Sequence, residues 1–76
     1  MNSDEIRVDA RRLLCPMPVI RAQDAIASLD KGTRVRVIAT DPGVLNDIPA
    51  WCRINGHAVL SSEQQDGEIV IVIEVN

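Results

Sequence analysis

The sequence predicts an α/β two-layer sandwich of order β-α-β-α-β-β, a four-stranded mixed sheet with two helices on one face. Three observations predict it. Two stretches of helical periodicity each open on a proline, β-branched alternation precedes each of them, and the chain closes on two strands joined around Asp66-Gly67. Right-handed crossovers then set both helices on the same side of the sheet.

The first strand is read from Ile6, Val8 and Ala10 alternating with Glu5, Arg7 and Asp9, ending at the charged pair Arg11-Arg12. From Pro16 the spacing changes, with Val19, Ala22, Ile26 and Leu29 recurring every three or four residues. This first helix is expected to stop at Asp30-Lys31-Gly32. Strand two follows over Arg34 to Thr40, with Val35 and Val37 opposite Arg34 and Arg36.

Asp41-Pro42 repeats the helix-start signal, an acidic cap followed by proline, and Leu45, Ile48 and Cys52 mark the inner face of helix two. Pro49 lies too late for the first turn, so it either kinks that helix or begins a second segment capped by Asp47. Asn55-Gly56 ends the helix, and Ala58 to Gln64 and Glu68 to Val75 form the closing strands. Ile69 to Ile73 is apolar on both faces, as a central strand would be, and leaves Val70 and Val72 or their neighbours poorly covered in a monomer. A monomer or weak self-association is the expectation.

Seventy-six residues make one domain, spanning 1–76, with a core of Val, Ile, Leu and Ala, because Phe and Tyr are absent and Trp51 is the single aromatic. The net charge of −3 and the missing aromatic stacking platforms argue against direct nucleic acid binding. Two distant cysteines, with no C-x-x-C pair and no zinc spacing to His57, give no metal site, and no cofactor is expected. The acidic start Met-Asn-Ser-Asp-Glu lacks a signal-peptide pattern and no apolar run could span a bilayer, so the expected location is cytoplasmic and away from membranes. In a reducing compartment Cys15 and Cys52 stay free thiols.

Cys15-Pro16-Met17-Pro18 carries the chemistry. The prolines suit the first turn of a helix, which places Cys15 at the cap with the N–H groups of Met17 and Val19 nearest its sulfur. The helix dipole, aided at long range by Arg11 and Arg12, predicts a lowered thiol pKa. Met17 is either an adaptable apolar contact for partners or plain surface filling. Cys52 reads as core, Asp9, Asp41 and Asp47 as strand-end and cap residues, and His57 as a turn or strand-start residue. Arg21, with Arg11 and Arg12, is expected to form a basic docking rim for acidic partners. No acid or His stands at useful spacing from Cys15 to act as its catalytic partner.

Together with Asp9, Arg21 and the stretch from Asp41-Pro42-Gly43 through Asp47-Ile48-Pro49-Ala50-Trp51-Cys52 to Gly56-His57, this block resembles the TusA, or SirA-like, family of small sulfur-carrier proteins. The likeness covers nearly the whole chain. It departs at Arg12, where the family usually has glycine. The resemblance implies that Cys15 receives sulfane sulfur as a persulfide from a cysteine desulfurase or rhodanese and relays it to the thiol of an acceptor protein. It implies a carrier rather than a multiple-turnover enzyme, serving tRNA thiolation, sulfur oxidation or molybdenum-cofactor supply. Two alternatives compete with it: a regulatory or interaction module with a redox-sensitive Cys15, and a thiol reductase using Cys15 with Cys52, which burial of Cys52 would exclude.

Overall fold

A computed structural model describes residues 5–76, so the acidic start at Met1 to Asp4 lies outside the described residues. The elements are β1 (Glu5–Ala10), α1 (Met17–Ile26), β2 (Arg34–Ala39), α2 (Val44–Asn55), β3 (Ala58–Gln65) and β4 (Glu68–Glu74), in the order expected. The strands lie β1-β2-β4-β3 across the sheet, with β1 parallel to β2 and the other pairs antiparallel.

The register sorts the side chains by face. Val8 and Ala10 align with Val37 and Ala39, which align in turn with Ile71 and Ile69 on β4. These residues, with Val35 and Ile73, meet Ala22 and Ile26 of α1 and Val44, Ile48 and Cys52 of α2 in one apolar core. Period-two burial on the strands and period-four burial on the helices are how one face of each element leaves water. The β3–β4 turn has Asp66 at φ 54° and Gly67 at φ 81°, the paired positive φ values of a two-residue hairpin that Asp-Gly favours.

Four details differ from the sequence reading. α1 stops at Ile26 with Ala27 as its C-cap, before Asp30-Lys31-Gly32. Leu29 packs beside the core, while Gly32, at φ 88°, donates its N–H to the Val75 carbonyl at 2.7 Å and so shapes the entry to β2. α2 begins at Val44 behind Gly43, so Asp41 and Pro42 form the turn ahead of the helix. That start puts Val44, Ile48 and Cys52 on the inner face and leaves Leu45 exposed. Pro49 sits inside one continuous α2, with Asp47 in its first turn making no cap bond.

The outer sheet face is the fourth difference. Val72 and Ile38 are buried there, and Val70 is half-buried, without a second helix layer. β2 and β4 occupy the middle of the sheet, so their outward side chains are flanked by cross-strand neighbours: Val72 by Arg36 and Ser61, Val70 by Ile38 and Glu63. Arg36 also reaches Glu5 across β1 at 2.9 Å, and this contact holds the Glu5 carboxyl below its ordinary pKa.

Candidate functional site

β1 and β2 run parallel and adjacent, so the segments that leave their ends arrive at the same edge of the sheet. One carries Arg11 to Pro16, the other Thr40 to Gly43. The two are tied directly: the Arg12 N–H donates to Thr40 Oγ1 and the Cys15 N–H to Asp41 Oδ2, each at 2.9 Å. Asp41 Oδ1 accepts the Gly43 N–H at 3.0 Å, so one carboxylate joins the cysteine loop to the start of α2. These N–H donors, Gly43 first and then Cys15, lower the Asp41 pKa.

Cys15 is exposed and its Sγ donates to Asp47 Oδ2 at 2.9 Å. This overturns the expected lowered pKa. The hydrogen bond to Asp47 raises the thiol pKa first, followed by desolvation and by the negative charges of Asp47 and Asp41. The helix start is also displaced. Pro16 is the N-cap, the Cys15–Pro16 peptide is cis, and α1 begins at Met17. The Met17 N–H is taken by the Leu14 carbonyl at 2.9 Å rather than aimed at sulfur. The bonded Asp47 and the nearby Asp41 carboxylate outweigh a helix end whose Met17 N–H is bonded to Leu14.

The remaining site residues separate clearly. Pro18 is fully buried and belongs to the core, whereas Pro16, Met17 and Leu14 are exposed around the sulfur, Leu14 at 77%. Arg11 is not a free docking cation: it pairs with Asp9 at 3.0 Å and reaches Glu68 at 3.4 Å, and its bonds hold the Asp9 carboxyl at about 2. Arg21 Nη1 donates to the Asp9 carbonyl at 3.4 Å. Both arginines therefore converge on Asp9, Arg11 on its carboxylate and Arg21 on its backbone carbonyl, and among the described residues Arg12 and Arg21 make no ion pair. Arg12 lies beside Thr40 and Glu68 along a shallow cleft at this end of the sheet.

Arg12 has φ 65°, a left-handed conformation that costs a side-chain-bearing residue about 1–2 kcal/mol and a glycine almost nothing. A glycine-favouring turn therefore carries arginine here. The bond from its N–H to Thr40 helps hold that turn.

Cys52 is buried in the last turn of α2, and burial pushes its thiol up to about 11. The burial excludes the dithiol reading. Trp51 is half-buried and stacks at a tilt on His57, with ring centroids 5.3 Å apart. His57 stands just before β3, as expected, with Nδ1 accepting the Asn76 N–H at 3.1 Å.

Asp47 is the site residue that sequence reasoning misses, since its position fits a helix cap and no motif spacing ties it to Cys15. The signal for it was topological. Adjacent parallel strands bring the loop after β1 and the start of α2 to one edge, so the second motif stretch was bound to face the first.

The chain is similar to proteins of one family. The family described as Sulfurtransferase TusA matches residues 6–75. A candidate sulfur carrier protein of Neisseria meningitidis serogroup A is 39% identical over 74 residues, covering 97% of each chain. The sulfur carrier protein TusA of Allochromatium vinosum is 33% identical over 67 residues, covering 88% of each. A crystal structure of a SirA-like protein from Desulfitobacterium hafniense superposes with a TM-score of 0.83 at 29% identity, covering 93% of this chain and 97% of its own. With the family match spanning all but the ends of the chain and the fold shared from β1 to β4, this protein belongs to the TusA family.

Proposed function

We propose that this protein is a sulfur carrier that accepts sulfane sulfur on Cys15 as a persulfide and hands it to the thiol of an acceptor protein. The observation that supports this most is the placement of Cys15: an exposed sulfur on a loop braced by two hydrogen-bonded carboxylates, with the second cysteine sealed in the core. A carrier needs one accessible sulfur that a donor can load and an acceptor can attack, with no second thiol in reach to expel the cargo as a disulfide. Donors are of the cysteine desulfurase or rhodanese type, and the acceptor serves tRNA thiolation, sulfur oxidation or molybdenum-cofactor supply. Pro16 and Met17 border the sulfur, Pro18 anchors the helix that follows, and Arg12 is the cation of the rim best placed to meet an acidic partner, with Arg11 and Arg21 shaping the surface around Asp9.

In the transfer, the Cys15 thiolate attacks the outer sulfur of the donor's persulfide, the donor's S–S bond breaks, and the donor cysteine leaves as a thiolate that takes up a proton. Loading by a cysteine desulfurase supplied with cysteine and without added reductant tests this. Intact mass is expected to rise by one sulfur atom in wild type and in Cys52→Ser, with no rise in Cys15→Ser and full reversal by reductant. No rise in wild type with either donor class would favour the interaction module.

A further inference from the structure

The contact between Cys15 Sγ and Asp47 Oδ2, at 2.9 Å, is a bond in which sulfur is the donor. It exists only while Sγ carries a proton, because a carboxylate has none to give. A persulfide changes this: its inner sulfur is bonded to carbon and sulfur, and any proton sits on the outer atom. Two acceptors then face each other at hydrogen-bond distance, with Asp41 close by as a second negative charge, and the outer sulfur adds charge of its own when ionised.

We propose that Asp47 is a load-sensitive latch that tethers the empty Cys15 to the first turn of α2 as a protonated thiol and releases it once it carries sulfane sulfur. The proposal rests on the carrier reading of Cys15. With the outer sulfur ionised, loading replaces an attraction with a repulsion, while the Cys15 N–H to Asp41 bond keeps the backbone in place. The empty carrier becomes a restrained nucleophile and the loaded carrier presents its cargo, so a partner meets a different surface in each state.

The chemical step balances. As Sγ bonds to the donor's outer sulfur, the Cys15 thiol proton leaves Sγ, the donor's S–S bond breaks, and the departing donor thiolate takes one proton. Sγ rises from the thiol to the disulfide level of oxidation while the donor's inner sulfur falls from one to the other. The ionisable groups acting on the thiol are Asp47 from α2 and Asp41 from the loop before it. On its own loop, the neighbours Leu14, Pro16 and Met17 are uncharged, and from α1 the Arg21 guanidinium is directed to the Asp9 carbonyl.

The test is the pH dependence of Cys15 alkylation by iodoacetamide in wild type, Asp47→Asn, Asp47→Ala and Asp47→Glu, with circular dichroism confirming the fold. In the empty protein, Asn and Ala are expected to move the midpoint downward and to speed alkylation at about pH 7.5 by roughly tenfold, with Glu close to wild type. After loading with inorganic polysulfide, alkylation of the outer sulfur in Asp47→Ala is expected to stay within about twofold of wild type.

An unmoved midpoint in both folded variants would overturn the proposal, as would equal acceleration of the empty and loaded forms. An unchanged mass after polysulfide treatment would overturn the carrier reading and the release half with it. The profile of the empty protein would still decide the holding half.

Discussion

Ile71→Ala is expected to destabilise the fold by about 3 kcal/mol, whereas Ile54→Ala changes stability by less than about 0.5 kcal/mol. Ile71 lies at the centre of β4, fully buried, between Val37 on β2 and Ser62 on β3. Removing three of its side-chain carbons leaves a cavity that strands held on both sides cannot close. Ile54, on α2, is 82% exposed and gives up little contact. A chain of this length has a total stability of about 4–11 kcal/mol, so the first change consumes a large share of it. Urea denaturation of both variants checks the contrast, and equal losses would contradict the assignment of the inner sheet face.

The two thiols are expected to differ in alkylation rate by on the order of a hundredfold or more in the native protein, with Cys15 the faster. Both have raised pKa values, for different reasons. Cys15 is held by Asp47 but open to solvent, whereas Cys52 is lifted to about 11 by burial alone and must wait for α2 to open. Peptide mapping after brief iodoacetamide treatment reads both sites, and mild denaturant should raise labelling at Cys52 selectively. Comparable native rates would place Cys52 near the surface and reopen the dithiol reading.

The fold was legible because its pattern is strong and local. Val35 and Val37 alternate cleanly, Asp66-Gly67 is a pair favoured in two-residue turns, and Gly56 at φ 82° ends α2 where Asn55-Gly56 said it would. The misreadings occur where a local signal competes with a tertiary contact. Asp41-Pro42 is a good helix start in isolation, yet Asp41 bonds the Cys15 and Gly43 N–H groups and the helix waits until Val44. Leu45 matches the helical period as well as Val44 does, and the later start decides which faces the core.

At the site, the reactive cysteine was legible and its electrostatics were not. A helix dipole lowers a thiol pKa only when free N–H groups face the sulfur, whereas here the Met17 N–H is bonded to Leu14 and Asp47 lies beside the thiol. No spacing rule links positions 15 and 47, because the contact runs through the parallel pairing of β1 and β2. The basic rim is settled by contacts at the end of β1: Arg11 pairs with the Asp9 carboxylate two residues away, and Arg21 reaches the Asp9 carbonyl from α1. The strain at Arg12, by contrast, could be anticipated from the glycine that the family usually places there.

The central claim is that sulfur on Cys15 is cargo, and the most direct measurement is a single-turnover chase. Protein loaded with radiolabelled sulfane sulfur, freed of its donor, is mixed with a reduced rhodanese as the thiol acceptor. The carrier account predicts that label leaves Cys15 and appears on the acceptor's cysteine, sensitive to reductant, with none transferred by Cys15→Ser. Label that stays on Cys15, or departs only as free sulfide, would contradict it.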